Sequence, residues 1–130
     1  MTPYTYNATV DRVIDADTID VVVDLGFNIF HPVRVRLLHI NAPETRTKNK
    51  VEKAAGLAAK AFVESLVSPT QPIILHSEKI DKFGRSLGSI EIIGRVNNYD
   101  LASLLLEKNH AQPYDGKGKA KWKPPTNPKD

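Results

Sequence analysis

The sequence predicts a mainly β domain of the α+β class, built as a five-stranded OB-type barrel. Three observations support this prediction: alternating apolar residues in the first forty positions, a helical spacing after Val51, and two more alternating segments before a short helix. The predicted order, β-β-β-α-β-β-α, has a helix between the third and fourth strands, as in OB-type barrels. The loops and open strand face of such barrels commonly bind nucleic acid or sugar.

The first three strands are predicted from alternation. Segment 4–14 is rich in Thr, Tyr and Val, and segment 33–40 has apolar residues on both faces near its end. Between them, apolar side chains occupy every second position of a half-buried strand: Ile19, Val21, Val23 and Leu25. Three consecutive strands indicate an antiparallel meander.

The first helix is predicted from apolar residues at steps of four, three, four and four, which share one helical face. These residues are Val51, Ala55, Ala58, Phe62 and Leu66. Pro69 and Pro72 interrupt the pattern, and segments 73–80 and 85–93 then indicate two strands. A second, shorter helix is marked by three leucines: Leu101, Leu104 and Leu105.

We predict one folded domain, residues 1–114, and a flexible tail, residues 115–130. The tail is dominated by Gly, Lys and Pro, which supply little that could be buried. It contains five Lys and two Asp, which account for the whole formal charge of +3. A net positive charge on the folded domain is therefore not predicted, although basic chains commonly bind nucleic acid.

The chain contains no cysteine, which excludes a disulfide framework and a cysteine-based metal or redox site. Its first ten residues lack a basic segment followed by an apolar run, and no run of about 18 apolar residues exists to span a bilayer. We therefore expect a cytoplasmic, monomeric protein with no membrane partner.

Two aspartates, Asp15 and Asp17, stand between the first and second strands. In an extended chain their side chains point the same way, roughly 6 to 7 Å apart, which allows one to bind a hard cation directly and the other through water. Asp and Thr at a hairpin more often hydrogen-bond only the local backbone. From this motif alone, the local interpretation is favoured.

The segment VRVRLLHINAPET, residues 33–45, places two arginines in an apolar strand that ends near a carboxylate. The planar guanidinium of Arg36 suits a phosphate oxygen, and Pro43 fixes the backbone that turns Glu44 away from the strand. An ion pair of Arg36 with Glu44 or a nearby aspartate is the alternative. The segment alone does not decide between them.

Two further segments are basic. Residues 81–85, DKFGR, form a predicted tight turn in which Gly84 permits an unusual backbone conformation and Arg85 enters the next strand. Taken alone, this is an ordinary hairpin turn. Segment 46–53, which includes Lys48 and Lys50, is interpreted equally well as part of a nucleic-acid groove and as a solvated loop.

In their order along the chain, these motifs resemble the staphylococcal nuclease (thermonuclease) family. They are Asp-x-Asp-Thr, Arg-Leu-Leu-x-Ile-x-x-Pro-Glu, Val-Glu-Lys at the start of a helix, and Asp-Lys-aromatic-Gly-Arg. The resemblance extends over roughly residues 4–114, and the Asn-x-Pro-Glu form is similar to that of phage-like members. It implies an OB-type barrel and a calcium-dependent phosphodiesterase that cuts DNA and RNA, with single strands preferred.

The resemblance also implies a role for each matching residue. Arg36 and Arg85 would hold the scissile phosphate, and Glu44 would take a proton from the attacking water. The calcium (Ca2+) site would consist of Asp17 as a direct ligand, Asp15 in the outer shell, Asn41, and the backbone carbonyl of Ala42. The nucleic acid would be contacted by Lys82, Phe83, Tyr114, Lys48 and Lys50.

The sequence departs from the family pattern in ways that affect function. Asn41 stands where a second calcium-binding aspartate is usual, so we expect weaker calcium binding, because an amide oxygen supplies no charge. Phe83 lacks a tyrosine hydroxyl, which should lower pocket affinity rather than chemistry. The family's final helix has no counterpart, and the position of Trp122 in the tail is left open. The alternative function is a non-catalytic OB-type module that binds nucleic acid or protein.

Overall fold

The structure is a computed structural model that describes residues 4–68, 71–118 and 121–124. Its elements are β1 (Tyr4–Asp15), β2 (Thr18–Asp24), β3 (Phe30–Leu37), β4 (Ile40–Asn41), α1 (Lys50–Leu66), β5 (Pro72–Ile80), β6 (Ser86–Ile92), β7 (Tyr99–Asp100), α2 (Leu101–Glu107) and β8 (Gln112–Pro113). The mainly β class and the order of the main elements are confirmed. The three two-residue strands β4, β7 and β8 are additions that the sequence did not predict.

The main strands close into a barrel. β1 pairs antiparallel with β2 and β5, β2 pairs antiparallel with β3, and β5 pairs antiparallel with β6. The predicted meander is therefore confirmed. A parallel pairing of β3 with β6 closes the barrel, with Val35 opposite Ser86. This closure brings the end of β3, which carries Arg36, beside the strand that follows the 81–85 turn.

The barrel interior is filled by the alternating apolar residues of the strands. Ile19, Val21 and Val23 are all buried, as predicted, whereas Leu25 is 44% exposed. Leu25 follows the end of β2 and lies in the hairpin loop, where Gly26 has a positive φ and its N–H bonds the Asp24 carboxylate. The alternation therefore holds only as far as the strand itself continues.

Helix α1 begins after Asn49, whose side-chain oxygen accepts hydrogen bonds from the backbone N–H groups of Val51 and Glu52 in the first turn. The helix is confirmed, but its predicted apolar face is wrong at two positions: Val51 and Ala58 are exposed. The buried positions are instead Gly56, Ala59 and Val63. The contact face includes Gly56, which packs against the backbone of Pro43 and Glu44 and which an apolar count ignores.

The last described elements return the chain to the end of β3. β8 pairs antiparallel with β4, which places Gln112 opposite Asn41. Of the predicted tail, residues 119–120 and 125–130 lie outside the described residues, so the division at residue 114 stays a prediction. No helix in the described part of the chain is long and apolar enough to cross a membrane.

Candidate active site

Asp17 connects the β1–β2 turn to the segment that follows β4. Its side chain accepts hydrogen bonds from the Ala42 N–H at 2.8 Å and from the Thr18 hydroxyl at 3.0 Å. Its main-chain carbonyl accepts the Leu37 N–H at 2.9 Å. Asp17 is only 6% exposed. Its bond to Ala42 is a long-range one, so the purely local interpretation of this aspartate is wrong.

Arg36 lies directly across the β2–β3 ladder from Thr18. Its Nη1 donates to the carbonyls of Leu37 at 2.6 Å and Ile40 at 3.0 Å, and its Nη2 lies 3.4 Å from the Asp17 carboxylate. The Arg36 side chain is 15% exposed. The ion pair that the sequence left open therefore exists, with Asp17 as the partner, and it fixes the guanidinium in one orientation.

The segment that carries Glu44 is held from two directions. The Glu44 N–H donates to the carboxylate of Glu52 in the first turn of α1 at 3.0 Å. On the other side, the carboxylate of Asp15 accepts from the N–H and the hydroxyl of Thr45, at 3.0 and 2.8 Å. The Glu44 side chain itself is exposed. Its backbone is thus fixed while its carboxylate faces solvent.

Gly56 allows helix α1 to pack directly against this segment. A Cβ built at Gly56 would lie 2.4 Å from the carbonyl oxygen of Glu44 and 2.9 Å from that of Pro43. Neither Gly56 nor Glu52 was identified as a site residue from the sequence. The available signal was a glycine in the interior of a helix, which costs about 1 kcal/mol relative to alanine and often has a packing reason.

The 81–85 turn orients Arg85. The Asp81 carboxylate accepts the backbone N–H groups of Phe83 and Arg85, both at 2.9 Å, and the Nε–H of Arg85 at 2.8 Å. Burial raises the pKa of Asp81, but these hydrogen bonds from Arg85 and Phe83 outweigh it and hold the pKa below its ordinary value. Arg85 and Lys82 also lie 5.6 and 5.2 Å from the centroid of the Phe83 ring.

Three of the predicted residues meet at one cavity of about 490 Å³: Arg36, Arg85 and Tyr114. We call it the arginine cavity. The Tyr114 N–H donates to the His39 carbonyl at 2.9 Å, which ties β8 to the end of β3. Arg36 therefore lines this cavity from β3, and Arg85 lines it from the turn that leads into the adjacent strand β6.

A second cavity, of about 280 Å³, adjoins the same stretch of chain. It is lined by Asn41, Glu44, Glu52, Lys121 and Trp122. We call it the tryptophan cavity. Residues 36–39 line the arginine cavity, and residues 41 and 44 line the tryptophan cavity. One continuous segment, residues 36–44, therefore contributes to both cavities.

The structure does not bring every predicted residue to these cavities. Lys48 and Lys50 are exposed at the start of α1, and Lys82 and Phe83 are exposed on their turn. None of the four lines the arginine or the tryptophan cavity. Their contacts with nucleic acid stay predictions.

A larger cavity, of about 560 Å³, lies where β1 begins and is lined by apolar residues such as Tyr6, Val33 and Leu75. None of the predicted site residues lines it. Lys79 lines both this cavity and the arginine cavity.

A hard cation such as calcium needs several oxygen ligands around one point. Among residues 4–68, 71–118 and 121–124, no group of three or more His, Asp or Glu side chains is placed to hold a metal. The predicted donors are nevertheless all oxygens, and the bond from Asp17 to Ala42 places the Asp17 carboxylate next to Asn41. This donor type fits calcium, with little negative charge to hold it. Calcium binding stays a prediction.

Comparisons with known proteins agree with the motifs. The model of the family described as Staphylococcal nuclease homologue matches residues 34–124. Protein ParB of Escherichia coli is 37% identical over 92 residues, which cover 71% of this chain and 42% of that protein. Endonuclease YhcR of Bacillus subtilis (strain 168) is 32% identical over 92 residues, which cover 65% of this chain and 7% of that protein.

The chain thus spans less than half the length of either relative. The family match nevertheless covers well over half of the chain, and it includes Arg36, Glu44, Arg85 and Trp122. The chain therefore belongs to the staphylococcal nuclease homologue family.

Proposed function

We propose that this domain is a calcium-dependent nuclease that hydrolyses phosphodiester bonds of DNA and RNA. The observation that carries the proposal is the convergence of Arg36 and Arg85 on one cavity, next to the segment that holds Glu44. Membership of the nuclease family supports it. The calcium requirement, the substrates and the roles of individual residues are the parts that need testing.

The two arginines suit a phosphodiester because attack by water increases the negative charge on the phosphate oxygens. Arg36 is oriented by two carbonyls and Asp17, and Arg85 is oriented by Asp81, so neither side chain must reorganise during the reaction. Loss of one such donor lowers kcat by about 10²- to 10³-fold in comparable sites.

Glu44 would act as the general base. Its carboxylate is exposed at the tryptophan cavity, so it can accept a proton from a water beside the phosphate. Its backbone is held by Glu52 and by the bonds of Asp15 to Thr45. Because the backbone of the base is already fixed, little conformational entropy is lost when its carboxylate reaches the water.

Asp17, Asn41 and the Ala42 carbonyl would hold calcium, with Asp15 in the outer shell. When bound, calcium would supply positive charge that stabilises the negative charge of the reacting phosphate. The neutral amide of Asn41 should make calcium binding weaker than a carboxylate would. The residues already provide two guanidiniums for the same charge, so a low calcium affinity does not remove phosphate binding.

A non-catalytic module that binds nucleic acid is the second candidate. One observation favours it: Asp17, the main candidate ligand, is already bonded to Ala42 and lies 3.4 Å from Arg36. Such a module would keep the arginine cavity and bind phosphate without cutting it. It predicts binding of oligonucleotides without any cleavage.

The test is digestion of single-stranded DNA, duplex DNA and RNA with calcium, magnesium, manganese or a chelator. Glu44→Gln and Arg36→Ala should each lose at least about 10²-fold in kcat. Arg34→Ala is the matched control, because Arg34 is on the same strand but is exposed and paired with Asp20 at 2.8 Å. Activity that survives the chelator, or that persists in both active-site variants, would refute the mechanism. Binding without cleavage under every metal would support the non-catalytic module.

A further inference from the structure

The segment 121–124 is attached to the strand beside the candidate active site. The Lys123 N–H donates to the side-chain oxygen of Gln112 at 3.1 Å, and the side-chain nitrogen of Gln112 donates to the Lys123 carbonyl. Gln112 lies in β8, directly opposite Asn41. The two bonds act like one rung of a β-ladder. They hold Trp122 next to the strand that carries Asn41.

The walls of the tryptophan cavity favour a neutral, planar group. Two of its lining residues, Glu44 and Glu52, carry carboxylates, against the single positive charge of Lys121, so the net charge of the lining is negative and disfavours a phosphate inside it. Trp122 supplies an aromatic surface, and the carboxylates can accept hydrogen bonds from amino groups. Its volume of about 280 Å³ lies just below the range of about 300–1,000 Å³ typical of drug-sized ligands. A single nucleobase meets all of these conditions.

We propose that Trp122 forms the stacking surface for the nucleobase on one side of the scissile phosphate. The nucleotide on the other side would occupy the arginine cavity. This inference rests on the proposed function, because that function places the phosphate between Arg36 and Glu44. Lys121, which also lines the tryptophan cavity, would supply positive charge for the adjoining backbone phosphate.

The inference specifies the substrate as a single-stranded oligonucleotide of at least two nucleotides. A base in a duplex is stacked between its neighbours and must leave them before it can stack on a protein ring, at a cost of a few kcal/mol. Stacking of an unpaired base on an aromatic side chain is favourable for every base. Trp122 would therefore give a preference for single strands with little preference for sequence.

Trp122 is the only tryptophan of the chain, so the intrinsic tryptophan emission reports on this position alone. The full chain is titrated with an oligothymidylate in chelator, and in calcium within the first milliseconds of a stopped-flow record. Binding is followed in parallel by the anisotropy of a labelled oligothymidylate. We expect the oligothymidylate to quench the emission, whereas thymidine 3′,5′-bisphosphate, which fills only the arginine cavity, should not. Binding without any change in emission would overturn the inference.

Two variants separate stacking from packing. Trp122→Leu keeps an apolar side chain without an aromatic face, and Trp122→Phe keeps the aromatic face. For an oligonucleotide, Trp122→Leu should raise KM by about 5- to 100-fold with kcat unchanged, and Trp122→Phe should restore most of the loss. A methyl ester of a thymidine phosphate, which has a base on one side and no planar group on the other, should be unaffected by either. Equal effects of both variants on both substrates would show a purely structural role and overturn the inference.

Failure of the inference and failure of the proposed function give different results. If no metal supports cleavage but the Trp122 emission still responds to the oligothymidylate, the nuclease proposal fails and the base site stands. If cleavage proceeds but neither the emission nor the Trp122→Leu variant responds, the base site fails and the nuclease stands.

Discussion

Gly56→Ala tests whether the helix positions the proposed general base. In the interior of an ordinary helix this substitution stabilises a protein by about 1 kcal/mol, because alanine has the higher helix propensity. Here the position faces the backbone of Pro43 and Glu44 rather than solvent. The same change should therefore act in the opposite direction and should also alter catalysis.

The magnitude follows from the contact distance. The new Cβ would lie 2.4 Å from the Glu44 carbonyl oxygen, whereas real Cβ contacts are essentially never below 3.0 Å, so the two backbones must separate by at least 0.6 Å. Forced separations of this kind cost about 1–3 kcal/mol, which exceeds or cancels the helix gain. A displacement of about 1 Å at a reacting group costs on the order of 10²-fold in rate. We expect kcat to fall by about 10- to 100-fold and the unfolding free energy to fall by up to about 2 kcal/mol.

The assay combines thermal unfolding with steady-state cleavage of an oligonucleotide. Ala58→Gly is the control, because Ala58 is exposed on the same helix. It should lower the unfolding free energy by about 1 kcal/mol and leave kcat unchanged. A Gly56→Ala variant that is more stable than the natural chain and equally active would refute the reasoning, because it would show that the helix does not control the Glu44 segment.

Four further outcomes are expected. Asp81→Asn weakens the acceptor that orients the arginine of the turn, so kcat should fall by about 10-fold while the melting temperature changes little, as measured by cleavage and calorimetry. Asn41→Asp adds a charged oxygen ligand and should tighten calcium binding by about 10-fold in a calcium titration; unchanged affinity would exclude Asn41 from the metal site. Hydrogen bonding from Arg34, the largest cause, holds the pKa of Asp20 below its ordinary value of 3.8. The stability that Asp20 contributes is therefore complete above that value and is lost as the pH falls through the lowered pKa, so Asp20→Asn should flatten the acid side of a plot of melting temperature against pH. Lys121→Ala should reduce the slope of log binding constant against log salt by about 0.7, the value for one phosphate contact in single strands.

Alternation predicted the strands well, because burial on one face of a sheet repeats every second residue. Ile19, Val21 and Val23 are buried in that pattern, and Leu25 leaves it where β2 ends. The helix face was less predictable. The helix packs against the backbone of Pro43 and Glu44 at Gly56, and apolar spacing carries no information about a residue that has no side chain.

Arg36 and Glu44 could be proposed as site residues from the sequence because each charged residue stands in an apolar or constrained setting, and their roles stay predictions. The ion-pair partner of Arg36 could not be predicted from the sequence. It depends on the strand register that places Thr18 opposite Arg36 and so brings Asp17 within reach. The position of Trp122 beside the candidate site was even harder to predict from the sequence. About eighty residues separate it from Asn41, and the bonds between Lys123 and Gln112, which no sequence pattern reveals, bring the two together.

In the proposed nuclease, two tasks depend on different parts of the chain: the long-range attraction of nucleic acid and the cleavage of the phosphodiester bond. Residues 1–114 carry 13 basic and 13 acidic side chains, whereas residues 115–130 carry a net charge of +3. At the site, Arg36 faces Asp17 and Arg85 faces Asp81, so each guanidinium is oriented by a carboxylate that also cancels its long-range field. Long-range attraction of a polyanion therefore depends mainly on the tail, of which Lys121 lies at the site. The paired arginines then act only at short range, on a phosphate already held nearby.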